Sequence, residues 1–142
     1  MRLAVVFGAV IAALSGSSAS AAVRITSDTG GQIGPYLEQL MAIRESGQQV
    51  IIDGPCLSAC TLVLGVIPPD RICVTRRARL GFHAAWHHGE NGRPATNRGG
   101  TQLLMAVYPQ NVKKWIAKRG GLTREMKYLS GRELASMYRT CQ

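Results

Sequence analysis

The stretch Val50-Ile51-Ile52-Asp53-Gly54-Pro55-Cys56-Leu57-Ser58-Ala59-Cys60-Thr61 decides how this chain is read. Val50-Ile51-Ile52 is a continuous apolar run, the pattern of a strand buried on both faces. Asp53-Gly54-Pro55 breaks it. Residues 58–65 are apolar after Ser58 and predict a buried helix. Ser58 therefore sits where a strand turns sharply into a helix, and its neighbours at −2 and +2 are small. That is the arrangement of a nucleophile elbow, with Cys56 and Cys60 standing where that motif has glycines. Free N–H groups and the positive dipole end at the start of the helix would stabilise an oxyanion there. The plainer alternative is that Ser58 only caps the helix.

Working outward, residues 23–26 are β-prone and end in the turn Ser27-Asp28-Thr29-Gly30-Gly31. Residues 33–46 carry apolar side chains at helical spacing, with Pro35 in the first turn and Gly47 just past the end. Pro68-Pro69-Asp70 predicts a turn, and residues 71–75 and 79–83 predict two more strands. The order β, α, β, α, β, β implies an α/β fold with a mainly parallel sheet and flanking helices. Residues 84–100 are polar and glycine-rich and predict a loop. Residues 102–119 are helical in pattern, with Pro109 breaking or kinking them. Ser130-Gly131-Arg132-Glu133 reads as a capping box before a last helix running toward Tyr138. No internal repeat or linker divides the chain.

The N-terminus reads as an export signal over residues 1–21: Arg2, an apolar run over residues 3–14, then Ala19-Ser20-Ala21 as a cleavage pattern. The apolar run is about 12 residues, short of the roughly 20 that a membrane span requires. Removing 21 of the 142 residues leaves 121, over residues 22–142, enough for one domain. The removed segment contains one charge, Arg2, so a net charge of +9 becomes +8. With 46% hydrophobic residues the chain is expected to fold rather than remain disordered. Cys56, Cys60, Cys73 and Cys141 all lie in the mature part, and an even count in an oxidising compartment favours disulfides, with three pairings open. The expected setting is a bacterial periplasm or the exterior.

Two further features join Ser58. Gly30-Gly31 ends the preceding strand, so a glycine amide there approaches a substrate carbonyl beside the Ala59 amide, and two such donors make an oxyanion hole. His83 ends a later strand and is placed to act as base to Ser58. A plain glycine turn and a structural histidine are the alternatives.

The order of these residues resembles the ClpP-type serine peptidases of the ClpP/crotonase superfamily. Ser27-Asp28-Thr29-Gly30-Gly31 resembles that family's S-P-G-G turn, with Thr29 in place of proline. Residues 54–60 resemble its G-x-A-A-S-M-G nucleophile segment, and residues 71–74 and 79–83 its two strands leading to the histidine. Leu129-Ser130-Gly131-Arg132-Glu133 resembles its late L-S-A-x-E-A segment. The resemblance implies a reduced ClpP/crotonase-like fold. It also implies Ser58 as nucleophile, His83 as base, and Gly31 and Ala59 as oxyanion donors. The family's catalytic aspartate falls on Met126; Glu125 is the adjacent acid and the candidate third member, rotated by about 100° if the segment is helical. The segment of the family's oligomerising handle looks shortened and broken by Pro109, so a homo-oligomer stays open while a large ring is not implied.

Competing signals are weaker. His83, His87 and His88 form H-x-x-x-H-H, but the intervening residues read as strand end and loop with no fourth ligand nearby, so no metal is expected. No cofactor is expected either. Cys56 and Cys60 form C-x-x-x-C, which suits a structural disulfide better than a redox pair. Arg76-Arg77-Ala78-Arg79 and residues 113–127 are dense in basic side chains, with no aromatic–basic interleaving that suggests base stacking. That pattern argues against nucleic acid and for an anionic envelope component or a merely solvated face. The leading expectation is an exported serine hydrolase acting on a peptide or other acyl substrate. The alternative is a non-catalytic envelope binding module that keeps the fold.

Overall fold

A computed structural model describes residues 21–142. Residues 1–20 of the expected export signal lie outside them. The elements run in the order β1 (Val23–Ile25), α1 (Ile33–Glu45), β2 (Val50–Ile52), β3 (Pro55–Leu57), a 3-10 turn (Ser58–Leu62), α2 (Val63–Val66), β4 (Ile72–Val74) and β5 (Arg79–Phe82). They continue with β6 (Trp86–His88), β7 (Pro94–Thr96), α3 (Arg98–Val107), α4 (Gln110–Ala117), β8 (Lys127–Ser130) and α5 (Gly131–Ala135). The protein is mixed α/β.

The strands form two three-stranded sheets and a hairpin instead of one continuous sheet. β1, β2 and β4 are parallel neighbours, with Ile25, Ile52 and Val74 in register. β3 and β5 are parallel, and β8 joins the other edge of β5 antiparallel, so Leu80 lies between Cys56 and Leu129. The break between sheets falls at Gly54, the tight turn of the sequence reading. A β-carbon there would stand 1.9 Å from the Thr26 carbonyl oxygen, so only glycine lets the chain step from one sheet to the next. The polar segment expected to be a loop contains the hairpin of β6 and β7. Its residues are mostly exposed, which removes the apolar alternation by which strands are recognised.

Helix predictions fared unevenly. α1 and the break at Pro109, between α3 and α4, follow the sequence reading. The single helix expected over residues 58–65 is instead a 3-10 turn continued by one turn of α-helix. The capping box does not form. Ser130 is extended and makes no side-chain cap, and Gly131 enters α5 at φ +58°. Glu133 pairs with Arg119 at 2.8 Å instead of reaching back to the cap. α5 stops at Ala135, short of Tyr138.

The core joins both sheets to the helices. Ile52, Leu62, Ile72, Leu80, Phe82, Ile116 and Leu129 are fully buried, each contributing about 1.5–3 kcal/mol by leaving water. Phe82 packs edge-on against Tyr108 at 5.4 Å and tilted against Trp115 at 5.4 Å, which fastens α3 and α4 over β5. The cysteines pair as Cys56–Cys60 and Cys73–Cys141.

Asp53, just past β2, is nearly buried and accepts from Arg77, Thr75 and Arg24. The Arg77 hydrogen bond, then that of Thr75, holds its carboxyl well below the usual carboxylate range, against the opposing effect of burial. A carboxylate whose folded value is lowered gives stability that is complete above its unfolded value, about 3.9, and is lost as pH falls through the lower folded one. Asp53→Asn is therefore expected to be less stable than the parent at pH 7. Thermal unfolding at pH 7, 4 and 2 should show the gap closing below about pH 4. A constant gap would mean that charge plays no part at Asp53.

Candidate active site

The geometry starts at Ser58. It is the one non-glycine residue among those described with a positive φ, +56°. That conformation is costly for a side-chain-bearing residue and clusters at functional turns. Two constraints hold it. The disulfide between Cys56 and Cys60 closes the chain across the −2 and +2 positions, with Cα atoms 5.3 Å apart. Below, the Thr61 hydroxyl donates to the Ser58 carbonyl at 2.6 Å. With its proton so placed, Thr61 accepts from the buried Tyr108 hydroxyl, also at 2.6 Å. Burial pushes the Tyr108 hydroxyl up to about 12, so it stays a neutral donor.

β3 and β5 are paired with Leu57 opposite Gly81, so the residues that follow them, Ser58 and His83, emerge side by side. The Ser58 Oγ lies 2.9 Å from His83 Nε2, and His83 Nδ1 lies 2.7 Å from the Ala84 carbonyl oxygen. A carbonyl only accepts, so Nδ1 carries the proton. Nε2 of the neutral ring is then free to accept from the serine, which is the tautomer that proton abstraction requires.

Glu125, the candidate third acid, does not take part. Its side chain is exposed, and the Nδ1 hydrogen bond goes to the backbone of Ala84 instead. Met126 packs toward Gly81, where its sulfur would stand 2.7 Å from an added β-carbon. Met126 occupies the expected position of the acid, and Glu125, in the bend just before β8, is exposed.

Gly31 and Ala59 line one open cavity with Ser58 and His83, of about 610 Å³. The Ala59 N–H precedes the first intrahelical bond of the 3-10 turn, so it has no partner within that turn. The glycine segment arrives by a route the sequence did not show. It does not end a strand of the serine's own sheet, because β1 pairs in the other one. Instead Asp28 bridges to Cys56: its N–H donates to the Pro55 carbonyl and its carbonyl accepts from Leu57 N–H, both at 2.8 Å. The Asp28 carboxylate then accepts from Gly30 N–H at 2.8 Å and from Tyr36 Oη. Burial and the neighbouring Asp28 carboxylate raise the Tyr36 hydroxyl to about 12, keeping it a donor.

Gly30 is the tightest point of the glycine segment beside Ser58. It sits at φ +83°, and a β-carbon would stand 2.5 Å from the Leu57 oxygen and 2.6 Å from Ser58 Cβ. Gly30→Ala is expected to cost about 2 kcal/mol or more and to displace Ser58. Denaturant unfolding together with serine labelling checks both effects; an unperturbed variant would show that the two segments are not in contact.

His87 and His88 lie on the rim of the cavity with Trp86, which meets His88 edge-on at 5.2 Å. No cluster of three histidine, cysteine or acidic side chains suited to a metal occurs among the described residues. The sequence reading missed the Ala84 carbonyl, the Thr61–Tyr108 pair and the Asp28–Tyr36 pair. Of these, only the Asp28-Thr29-Gly30 turn chemistry carried a signal.

What the fold and site define is an α/β domain with a Ser–His pair at the carboxyl ends of two parallel strands. No family model matches the chain, and no curated protein matches it. Among solved structures, a ClpP1 mutant from Listeria monocytogenes is similar, with a TM-score of 0.46 and 14% identity, covering 83% of this chain and 71% of that one.

Proposed function

We propose that the protein is an exported serine hydrolase acting on a peptide or other acyl substrate. The observation that carries this reading is the 2.9 Å contact between Ser58 Oγ and His83 Nε2 on a serine held at φ +56°. Ser58 Oγ attacks the acyl carbon as its proton passes to Nε2, and the carbonyl electrons move to the oxygen facing the Gly31 and Ala59 amides. Collapse expels the leaving group with the proton returned from Nε2. Water, deprotonated by the same nitrogen, then releases the acid and restores Ser58. The Ala84 carbonyl orients the ring, in the place where a triad has a carboxylate. Export is supported by the N-terminal pattern and is compatible with two disulfides. The mature protein should be labelled by a fluorophosphonate, and the label should map to Ser58. Absence of labelling, or labelling elsewhere, removes the hydrolase reading.

One observation favours the second reading, a binding module without turnover: His83 Nδ1 faces a neutral carbonyl, not a carboxylate. Such a module would keep its partner in a pull-down from envelope extract when Ser58 is replaced by alanine, and a lost partner would exclude it.

A further inference from the structure

The carboxyl ends of the parallel β1-β2-β4 sheet open on a second cavity, of about 700 Å³, lined among others by Asp53, Thr75, Arg76, Arg77, Arg132 and Thr140. Asp53 and Thr75 directly follow β2 and β4. In open α/β sheets the crevice outside the carboxyl ends of the strands is where ligands bind. Ser58 and His83 occupy that place on one sheet, and no step of the hydrolase reading uses it on the other.

The charges there are unbalanced. Asp53, the one acid in the lining, accepts from Arg77 Nε at 3.1 Å, Arg24 at 2.8 Å and Thr75 at 2.7 Å, so its oxygens are saturated. Arg77 is thereby pinned as part of the wall. Arg76 and Arg132 are exposed and form no ion pair among the described residues. They come from separate elements, the turn after β4 and the start of α5. Parallel β-contact between Val74 and Thr140, and the Cys73–Cys141 disulfide beneath it, fix the side of the cavity between them. With Arg24 and Arg77 on Asp53 and Arg76 and Arg132 beside them, four guanidinium groups stand against one carboxylate, an excess of three positive charges.

We propose that this cavity binds a small dianion carrying a phosphate group, held by Arg76 and Arg132 with the Thr140 hydroxyl as an uncharged donor. Guanidinium forks match phosphate oxygens two at a time, and two forks suit a dianion better than a single carboxylate. The volume exceeds that of inorganic phosphate and leaves room for a pyrophosphate or a phosphate monoester.

Calorimetric titration of the whole protein with inorganic pyrophosphate at low ionic strength should show one saturable site. The Arg76→Ala/Arg132→Ala double variant should weaken it at least ~10-fold. Ser58→Ala should leave it unchanged, as should Arg119→Ala, which removes an arginine paired elsewhere with Glu133. A parallel arm uses vesicles with and without phosphatidic acid. Vesicle binding lost in the double variant, with pyrophosphate competing, assigns the phosphate to a lipid headgroup; pyrophosphate binding alone assigns it to a soluble ligand. No saturable binding in either arm, or binding that the double variant retains, overturns the proposal. Because both arginines are exposed and unpaired, their loss should not unfold the chain, and unchanged thermal unfolding of the double variant verifies that.

Discussion

Ser58→Ala is expected to abolish fluorophosphonate labelling and to reduce acyl-ester hydrolysis at least ~10³-fold, to the level left by the cavity and its amides. His83→Ala should do nearly the same, and the double variant should be no worse than either single one. Nucleophile and base act as one unit, so removing either removes the step that both perform. The parent rate itself should be modest. In a triad the buried carboxylate fixes the tautomer and stabilises the imidazolium, and losing that role drops kcat about 10⁴-fold. Here the Ala84 carbonyl supplies the first function through its 2.7 Å hydrogen bond but has no formal charge for the second. Activated esters should therefore react well and peptides slowly, since the amine leaving group demands more of the protonated ring. The measurement is single-turnover kinetics with a p-nitrophenyl ester and a peptide of matched acyl group. Hydrolysis that survives in Ser58→Ala would place the nucleophile elsewhere.

The two disulfides should separate stability from activity. Cys73 and Cys141 are 68 residues apart, so opening that bridge releases a long loop in the unfolded chain and should cost about 4 kcal/mol. For a domain of this size the midpoint should fall on the order of 15 °C. Cys56 and Cys60 are 4 residues apart, and the same reasoning gives only about 2 kcal/mol. Yet that short bridge spans the serine turn. Freed from it, Ser58 can relax from a conformation costing about 1–3 kcal/mol, so serine labelling should slow by roughly 10–100-fold. Paired Cys→Ala variants, compared by thermal unfolding and labelling rate, test the contrast. Equal effects on both readouts would show that the short bridge does not hold the serine.

The legible parts of the fold are those where side-chain pattern and burial coincide. Val50-Ile51-Ile52 is a strand, residues 33–45 form a helix, and the order of Gly31, Ser58 and His83 along the chain becomes a shared cavity. What stayed illegible depends on backbone. β3 is three residues long and has its proline exposed and a cysteine buried, a pattern that a turn shares. The exposed β6–β7 hairpin has no buried face to report itself. The partner of His83 is a main-chain oxygen, for which no residue type codes. The Ser130 capping box had the right letters, but Gly131 at φ +58° turns the serine away, and a distant Arg119 claims the glutamate. Glu125 failed for a related reason: residues 127–130 pair with β5, and Glu125 stands before them, exposed.

The sheet behind the serine also has a time dimension. Its strands come from residues 55–57, 79–82 and 127–130, and the β5 strand is central only once the last of these has paired with it. Contacts so distant in sequence require the chain to close large loops before they stabilise anything, which makes such assemblies slow relative to helices formed from neighbouring residues. A chain still being synthesised has Ser58 and His83 before it has β8. Ser58 and His83 then exist as sequence without a platform, and the hydrogen bond between them arrives with the final strand.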